Sequence, residues 1–169
     1  KIHQHKKLFE SDVNPLFRCL ADNYIDKEAP DLNLCFFDIE VDFDKEKGFS
    51  DPTDPFNPIT AIALHLSWLK KTVCIALKPD TLTKEQAQEI CNKFEDTFLM
   101  DTEEELLSTF LDLIDDADVL SGWNSEGYDI PYMVNRISRV LSKSHTRKFC
   151  LWDRMPRERT LVKFGKDTQ

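Results

Sequence analysis

Apolar positions fall in short blocks separated by polar stretches, and their periods assign the elements. Leu34-Cys35-Phe36-Phe37-Asp38-Ile39-Glu40-Val41 is short, aromatic and β-branched, which marks a strand. Residues 42–58 are mostly polar and contain Gly48, Pro52, Pro55 and Pro58, so they read as a loop. Residues 59–68 and 72–77 read as two further strands, joined into a hairpin by a tight turn at Lys70-Lys71. Thr83-Lys84-Glu85-Gln86 has capping-box spacing and opens a short helix that runs to about Asn92. Residues 94–100 read as another strand. Thr102-Glu103-Glu104-Glu105 is a second capping box, and behind it Leu106, Leu107, Phe110, Leu111, Leu113 and Ile114 gather on one helical face as a core stripe. Residues 119–123 make a short buried strand, and Pro131 suits the first turn of a last helix whose buried stripe is Met133, Ile137, Val140 and Leu141. Upstream, residues 15–24 suit a short helix and residues 27–30 a connector.

The order strand, hairpin, helix, strand, helix, strand, helix predicts an α/β domain with a mixed sheet flanked by helices. The first three strands are expected to be antiparallel neighbours. The strand at Val119, reached through a helix, is expected to pair in parallel with the first.

Composition fits one compact domain: 169 residues, 41% hydrophobic and 31% charged. No apolar run approaches the ~20 residues of a membrane helix, so no membrane is expected among the partners. The five cysteines are scattered without a Cys-x-x-Cys pair, which points to reduced thiols and a cytoplasmic setting. His3 and His5 have no neighbouring metal-binding partners in sequence. The chain does not begin with Met and reads as a piece of something longer. Net charge is −9, which argues against passive electrostatic binding of nucleic acid. Residues 136–169, however, carry 10 Lys/Arg against 3 Asp/Glu. The segment from Arg136 to Lys166 is therefore a candidate for phosphate contacts, or simply a charged surface.

Asp38 and Glu40 lie two apart in an otherwise apolar strand, so both side chains leave the same face. Two like charges side by side call for a cation, and Mg²⁺ is commonly held by one or two carboxylates. A pair of solvated acids at a strand end fits the spacing equally well. The second stretch is Gly122-Trp123-Asn124-Ser125-Glu126-Gly127-Tyr128-Asp129-Ile130-Pro131-Tyr132. Here a buried strand ends, the chain turns, and Asp129 stands at a helix start. By itself Asp129 reads as a helix cap and Asn124 as a turn residue. Trp123 and Tyr128 read as core residues, with base stacking as the alternative. Ligands in α/β sheets collect beyond the carboxyl ends of strands, where both stretches would lie if the two strands are neighbours.

Asp38-Ile39-Glu40 closing an apolar strand, followed by Gly-Trp-Asn-x-x-x-Tyr-Asp-Ile-Pro-Tyr, resembles the first two exonuclease motifs of family B DNA polymerases, most closely those of T-even-type bacteriophages. Phe9-Glu10-Ser11-Asp12 and Arg18 resemble the segment that precedes the exonuclease domain. The resemblance implies a division into residues 1–30, from the polymerase N-terminal region, and residues 31–169, the front part of a 3′–5′ exonuclease domain. It implies a ribonuclease H-like fold, incomplete at its C-terminus. It also implies proofreading by two-metal hydrolysis with Mg²⁺ or Mn²⁺. Asp38 would bridge both metals, Glu40 would bind the one that activates water, and Asp129 would support the second. Asn124, with Tyr128 beside it, would contact the substrate. The implied partners are a single-stranded 3′ end of DNA, the rest of the polymerase and a sliding clamp. The implied location is the cytoplasm, that of the host cell for a viral protein.

The family's third motif, Tyr-x-x-x-Asp, supplies a further metal ligand and a tyrosine that orients water. It does not occur in these 169 residues. The residues leave two other readings open. One is a stand-alone exonuclease of the same fold. The other is a non-catalytic module that binds single strands or a replication partner.

Overall fold

The structure, a computed structural model, describes residues 14–157. Chain contacts divide it into two units, residues 1–31 and 32–169. The described part of the first unit is helix α1, Pro15–Tyr24. The Asn14 side chain caps it by accepting from the Leu16 N–H at 2.9 Å, and Pro15 occupies the first turn, where no N–H is needed. The Phe9–Asp12 segment and the histidines at 3 and 5 lie outside the described residues, as does the basic stretch beyond Arg157.

The second unit holds a five-stranded sheet of order β4-β3-β2-β1-β5. Its strands are β1 Leu34–Val41, β2 Ile59–Leu66, β3 Lys71–Leu77, β4 Thr97–Met100 and β5 Val119–Ser121. β1 pairs antiparallel with β2, as does β2 with β3, whereas β1–β5 and β3–β4 are parallel. The expected sheet is therefore present, down to the parallel pairing of the Val119 strand. Period two divides β1 cleanly. Cys35, Phe37 and Ile39 are buried, and Phe36, Asp38 and Glu40 are exposed.

The buried side packs against helix α3, Glu103–Leu113, and helix α4, Asp129–Val140. Leu106, Leu107, Phe110 and Leu111 come from α3, and Tyr132, Met133 and Ile137 from α4. Phe37 and Phe110 meet with ring centroids 5.6 Å apart. Helix α2, Lys84–Cys91, lies toward the other face, where Ile90 and Cys91 share a groove with Cys74 and Thr97. Cys74 pairs with Ala63 and Ala63 with Asp38, so this is the face that carries Asp38.

Element ends follow local chemistry. The capping box at Thr83–Gln86 forms in both directions. At α3 only half of one forms: Thr102 accepts from the Glu105 N–H, but the Glu105 carboxylate reaches back to the Asp101 N–H at 2.9 Å. β2 stops at Leu66, before the expected Trp68, because the chain turns and Lys70 takes φ +52°. The strand expected from residue 94 begins only at Thr97, since Lys93 and Phe94 bond back to Ile90 and Cys91 and Asp96 takes φ +50°. The short 3₁₀ turns Lys143–Phe149 and Leu151–Asp153 have no periodic signal in the sequence.

Candidate active site

β5 runs beside β1 only as far as Ser121, which pairs with Phe36. Gly122 then passes so close to β1 that a Cβ there would lie 2.3 Å from the Phe37 carbonyl oxygen, so no larger residue fits without backbone movement. The chain turns through Asn124, whose carbonyl accepts from the N–H groups of Gly127 at 2.9 Å and Tyr128 at 3.0 Å. Asn124 itself has φ +52°, a conformation that asparagine tolerates better than most residues. A Cβ on Gly127 would meet the Asn124 Oδ1 at 2.7 Å, so the asparagine side chain lies over this glycine.

The turn delivers Asp129 to the first residue of α4, where the helix dipole favours a negative charge. The carboxylate does not cap the helix end; the N-cap position belongs to Tyr128, which offers no side-chain bond. Instead its own N–H and the Ile39 N–H of β1 lie near enough to the carboxyl to draw its pKa down. Among the described residues no strand covers that edge of β1 beyond Ser121, and Asp129 stands there. The residue is only 4% exposed. Burial raises its carboxyl above the ordinary range, the two N–H groups pull it down, and the charge of Asp38 pushes it up again.

Asp129 thus stands against β1 within electrostatic reach of Asp38. Asp38 and Glu40 share the exposed face of the strand, with Ala63 and Ala61 as their partners on β2. Among the described residues, none of the three carboxylates forms an ion pair. Nor, among those residues, do three or more His, Cys, Asp or Glu side chains cluster closely enough to hold a metal by themselves. Tyr128 is half-buried, with its ring 5.5 Å from that of Tyr132, and burial followed by the charges of Asp129 and Asp51 raises its phenol. Trp123 overturns the expectation of a core residue: it is 92% exposed, because the chain leaves the sheet at Gly122.

The helix that begins at Asp129 makes contacts that the sequence did not announce. α4 binds the loop 42–58 along its length. The Asn135 amide donates to the Pro52 carbonyl at 2.8 Å, and Arg139 donates to the Pro55 carbonyl at 2.9 Å while pairing with Asp54. Arg136 holds both oxygens of Glu103, at 2.8 and 2.6 Å, and donates to the carbonyls of Pro55 and Phe56. This corrects the expectation that Arg136 belongs to a phosphate-binding segment: its guanidinium is used up inside the fold. Arg147 and Lys148 pair with Asp153 and Asp112.

The environment of Asp129 predicts a pH effect. A raised folded-state pKa means that folding favours the protonated form. Stability is then greatest below the ordinary aspartate value of about 3.9 and falls as pH rises through the raised folded value. Asp129→Asn keeps an oxygen for the two N–H groups and removes the charge. In chelator it is expected to melt above the wild type at pH 7, with the gap closing toward pH 3. A lower melting temperature for the variant at pH 7 would contradict this account.

A model of the family "DNA polymerase family B, exonuclease domain" matches residues 3–168. The DNA-directed DNA polymerase of Escherichia phage RB69 is 28% identical over 166 residues, covering 85% of this chain and 18% of its own length. DNA polymerase 1 of Sulfolobus acidocaldarius is 27% identical over 143 residues, covering 83% of this chain and 16% of its own length. The chain thus spans less than a fifth of either relative.

Proposed function

The chain belongs to the exonuclease-domain family of the family B DNA polymerases, and from that premise we propose that it is a 3′–5′ proofreading exonuclease domain that hydrolyses 3′-terminal nucleotides of DNA. Its mixed sheet flanked by helices is the ribonuclease H-like arrangement of that family. The observation that carries the reading is Asp129, drawn from a distant part of the chain to the open edge of β1 beside Asp38.

The donor set fits Mg²⁺ or Mn²⁺. All three side chains offer hard oxygen donors, and the burial and like charge that raise the Asp129 carboxyl are what a bound cation reverses. Two such ions, when bound, would supply an activated water and neutralise the departing oxygen. Asp38 and Glu40, on the exposed face of β1, would hold the metal, and Asp129 would support it. Asn124, exposed at the turn before Asp129, and Tyr128 contact the terminal nucleotide. The partners in this reading are a single-stranded 3′ end, the polymerase body and a sliding clamp, and the setting is the cytoplasm. Among the described residues no helix is long and apolar enough to cross a membrane.

Thermal melts in Mn²⁺ test the metal site. Saturation to 100 times Kd stabilises a folded protein by about 2.7 kcal/mol, roughly 5–10 °C for a domain of this size. The wild type should show that shift, and Asp38→Ala should show little of it. An equal shift in both would place the metal elsewhere. A shift without any cleavage, even by a form that also carries a Tyr-x-x-x-Asp segment, would favour a binding module.

A further inference from the structure

We propose that Cys74 and Cys91 form a reversible redox latch: a peroxide joins the two thiols in a disulfide that fastens helix α2 to the sheet. Cys74 lies in β3, and Cys91 is the last residue of α2. Both line the groove between α2 and the β3–β4 side of the sheet, together with Ala76, Ile90, Phe94 and Thr97. The backbone brings them there by a short path. The Cys91 carbonyl accepts from the Phe94 N–H at 3.0 Å and the Ile90 carbonyl from the Lys93 N–H at 3.1 Å, which folds the chain back after the helix. Asp96 then takes φ +50°, and its carbonyl accepts from the Cys74 N–H at 3.0 Å. Its carboxylate holds Lys71 at 2.7 Å. Thr97, the next residue, is the register partner of Cys74. A tight turn that starts at Cys91 therefore ends against Cys74.

Packing alone does not call for sulfur here. Ala87, one turn before Cys91 on the buried side of α2, and Ala76, two residues beyond Cys74 on the same face of β3, show that alanine fits this layer. Cys91 is buried, whereas Cys74 is half-buried and the more open of the two. Burial raises the Cys74 thiol, and the charge of Cys91 raises it further, so the two sulfurs lie within electrostatic reach. The thiolate is the reacting form, so the pair reacts slowly and stays reduced at rest. The other cysteines are placed apart. Cys35 is buried on the opposite face of the sheet, Cys150 lines a separate groove beside β5, and Cys19 belongs to α1. Hydrogen peroxide oxidises the Cys74 thiol to a sulfenic acid and releases one water. The Cys91 thiol attacks that sulfur, the S–S bond forms, and a second water leaves. Two electrons pass from the thiols to the peroxide, and an external dithiol returns them. The latch stands on the face that carries Asp38, with β2 between them.

The test is peptide mapping of the intact protein after treatment with hydrogen peroxide, with no reductant in the digest. Tryptic peptides 72–84 and 85–93 should appear joined, at a mass about 2 Da below their sum, since one disulfide removes two hydrogens. Closing the loop 74–91 should raise Tm by roughly 5–10 °C, and dithiothreitol should reverse both changes. Cys74→Ala and Cys91→Ala should each abolish the joined peptides and the rise, while Cys150→Ala should keep both. Each variant is read against its own untreated Tm, so a change in its basal stability does not enter. Peptides that stay separate in the wild type overturn the proposal, as does a bond from Cys74 or Cys91 to any other cysteine. Joined peptides without a rise in Tm overturn the latch, and so does a rise that survives in Cys74→Ala or Cys91→Ala.

Discussion

The 169-residue chain is expected to digest labelled single-stranded DNA at least about 10³-fold more slowly than a form that also carries a Tyr-x-x-x-Asp segment, because ligand geometry and electrostatic positioning supply most of such catalysis. The physical ground is the donor count. Asp38 and Glu40 share one face of β1 and Asp129 stands at its edge, but no group of three or more potential ligands is assembled among the described residues. Mg²⁺ gives up its hydration shell reluctantly and needs near-ideal octahedral geometry. Two carboxylates can recruit the ion without fixing a water for in-line attack. The chain should therefore fold and respond to Mn²⁺ while remaining a poor nuclease. In the longer form, Asp38→Ala should return the rate to the level of the short one. Comparable rates for the short and long forms would sink the argument. Asp42, the next same-parity residue after Glu40, would then be the first carboxylate to replace, ahead of Asp153, which is paired with Arg147.

Arg136→Ala is expected to destabilise the fold by about 3–5 kcal/mol, the cost of leaving one partner of a buried ion pair alone. That corresponds to roughly 10 °C in Tm for a chain of this length. Both side chains of the Arg136–Glu103 pair are 11% exposed, and the pair is bidentate. Glu103 also accepts the N–H of Ile59, the first residue of β2, at 2.9 Å. The same guanidinium closes the carbonyls of Pro55 and Phe56. Removing it leaves an uncompensated carboxylate and two loop carbonyls without their donor. Arg139→Ala is the control, since its pair with Asp54 is 45% and 70% exposed. It should cost less than about 1 kcal/mol. Denaturant and thermal unfolding measure both variants. A loss for Arg136→Ala no larger than that for Arg139→Ala would show that the clamp does not stabilise the fold.

The sequence is most legible where the information is local. The alternation in β1 by itself puts Asp38 and Glu40 on one face, because strand parity is a property of consecutive residues. The caps at Thr83 and Thr102 are legible for the same reason, since a cap reaches only two or three residues along the chain. The core stripes of α3 and α4 follow from helical spacing. Even so, Trp123 misleads. A bulky ring after Val-Leu-Ser-Gly looks like a continuing buried strand, and only the exit of the chain at Gly122 turns it outward.

Sequence by itself determined the α-helices and strands to within a few residues, their order, the shared face of Asp38 and Glu40, and the placing of Asp129 at a helix start. Tertiary structure alone decided what those groups meet. By itself, a carboxylate at the start of a helix reads as a cap. Asp129 instead fills the edge of β1 that β5 leaves open, because β5 is only three residues long. In sequence, Arg136 is one charge in a basic run. In the fold it is a buried clamp, because α4 crosses the loop 42–58 and Glu103 is the carboxylate it meets there. Tyr132, Ser50 and Asn57 carry no joint signal at all, since their bonds span 75 and 82 residues. Periodicity records the direction in which a side chain leaves its own backbone. Which distant group waits there depends on strand register and on the path of the loops, and those are settled only when the whole sheet closes against its helices.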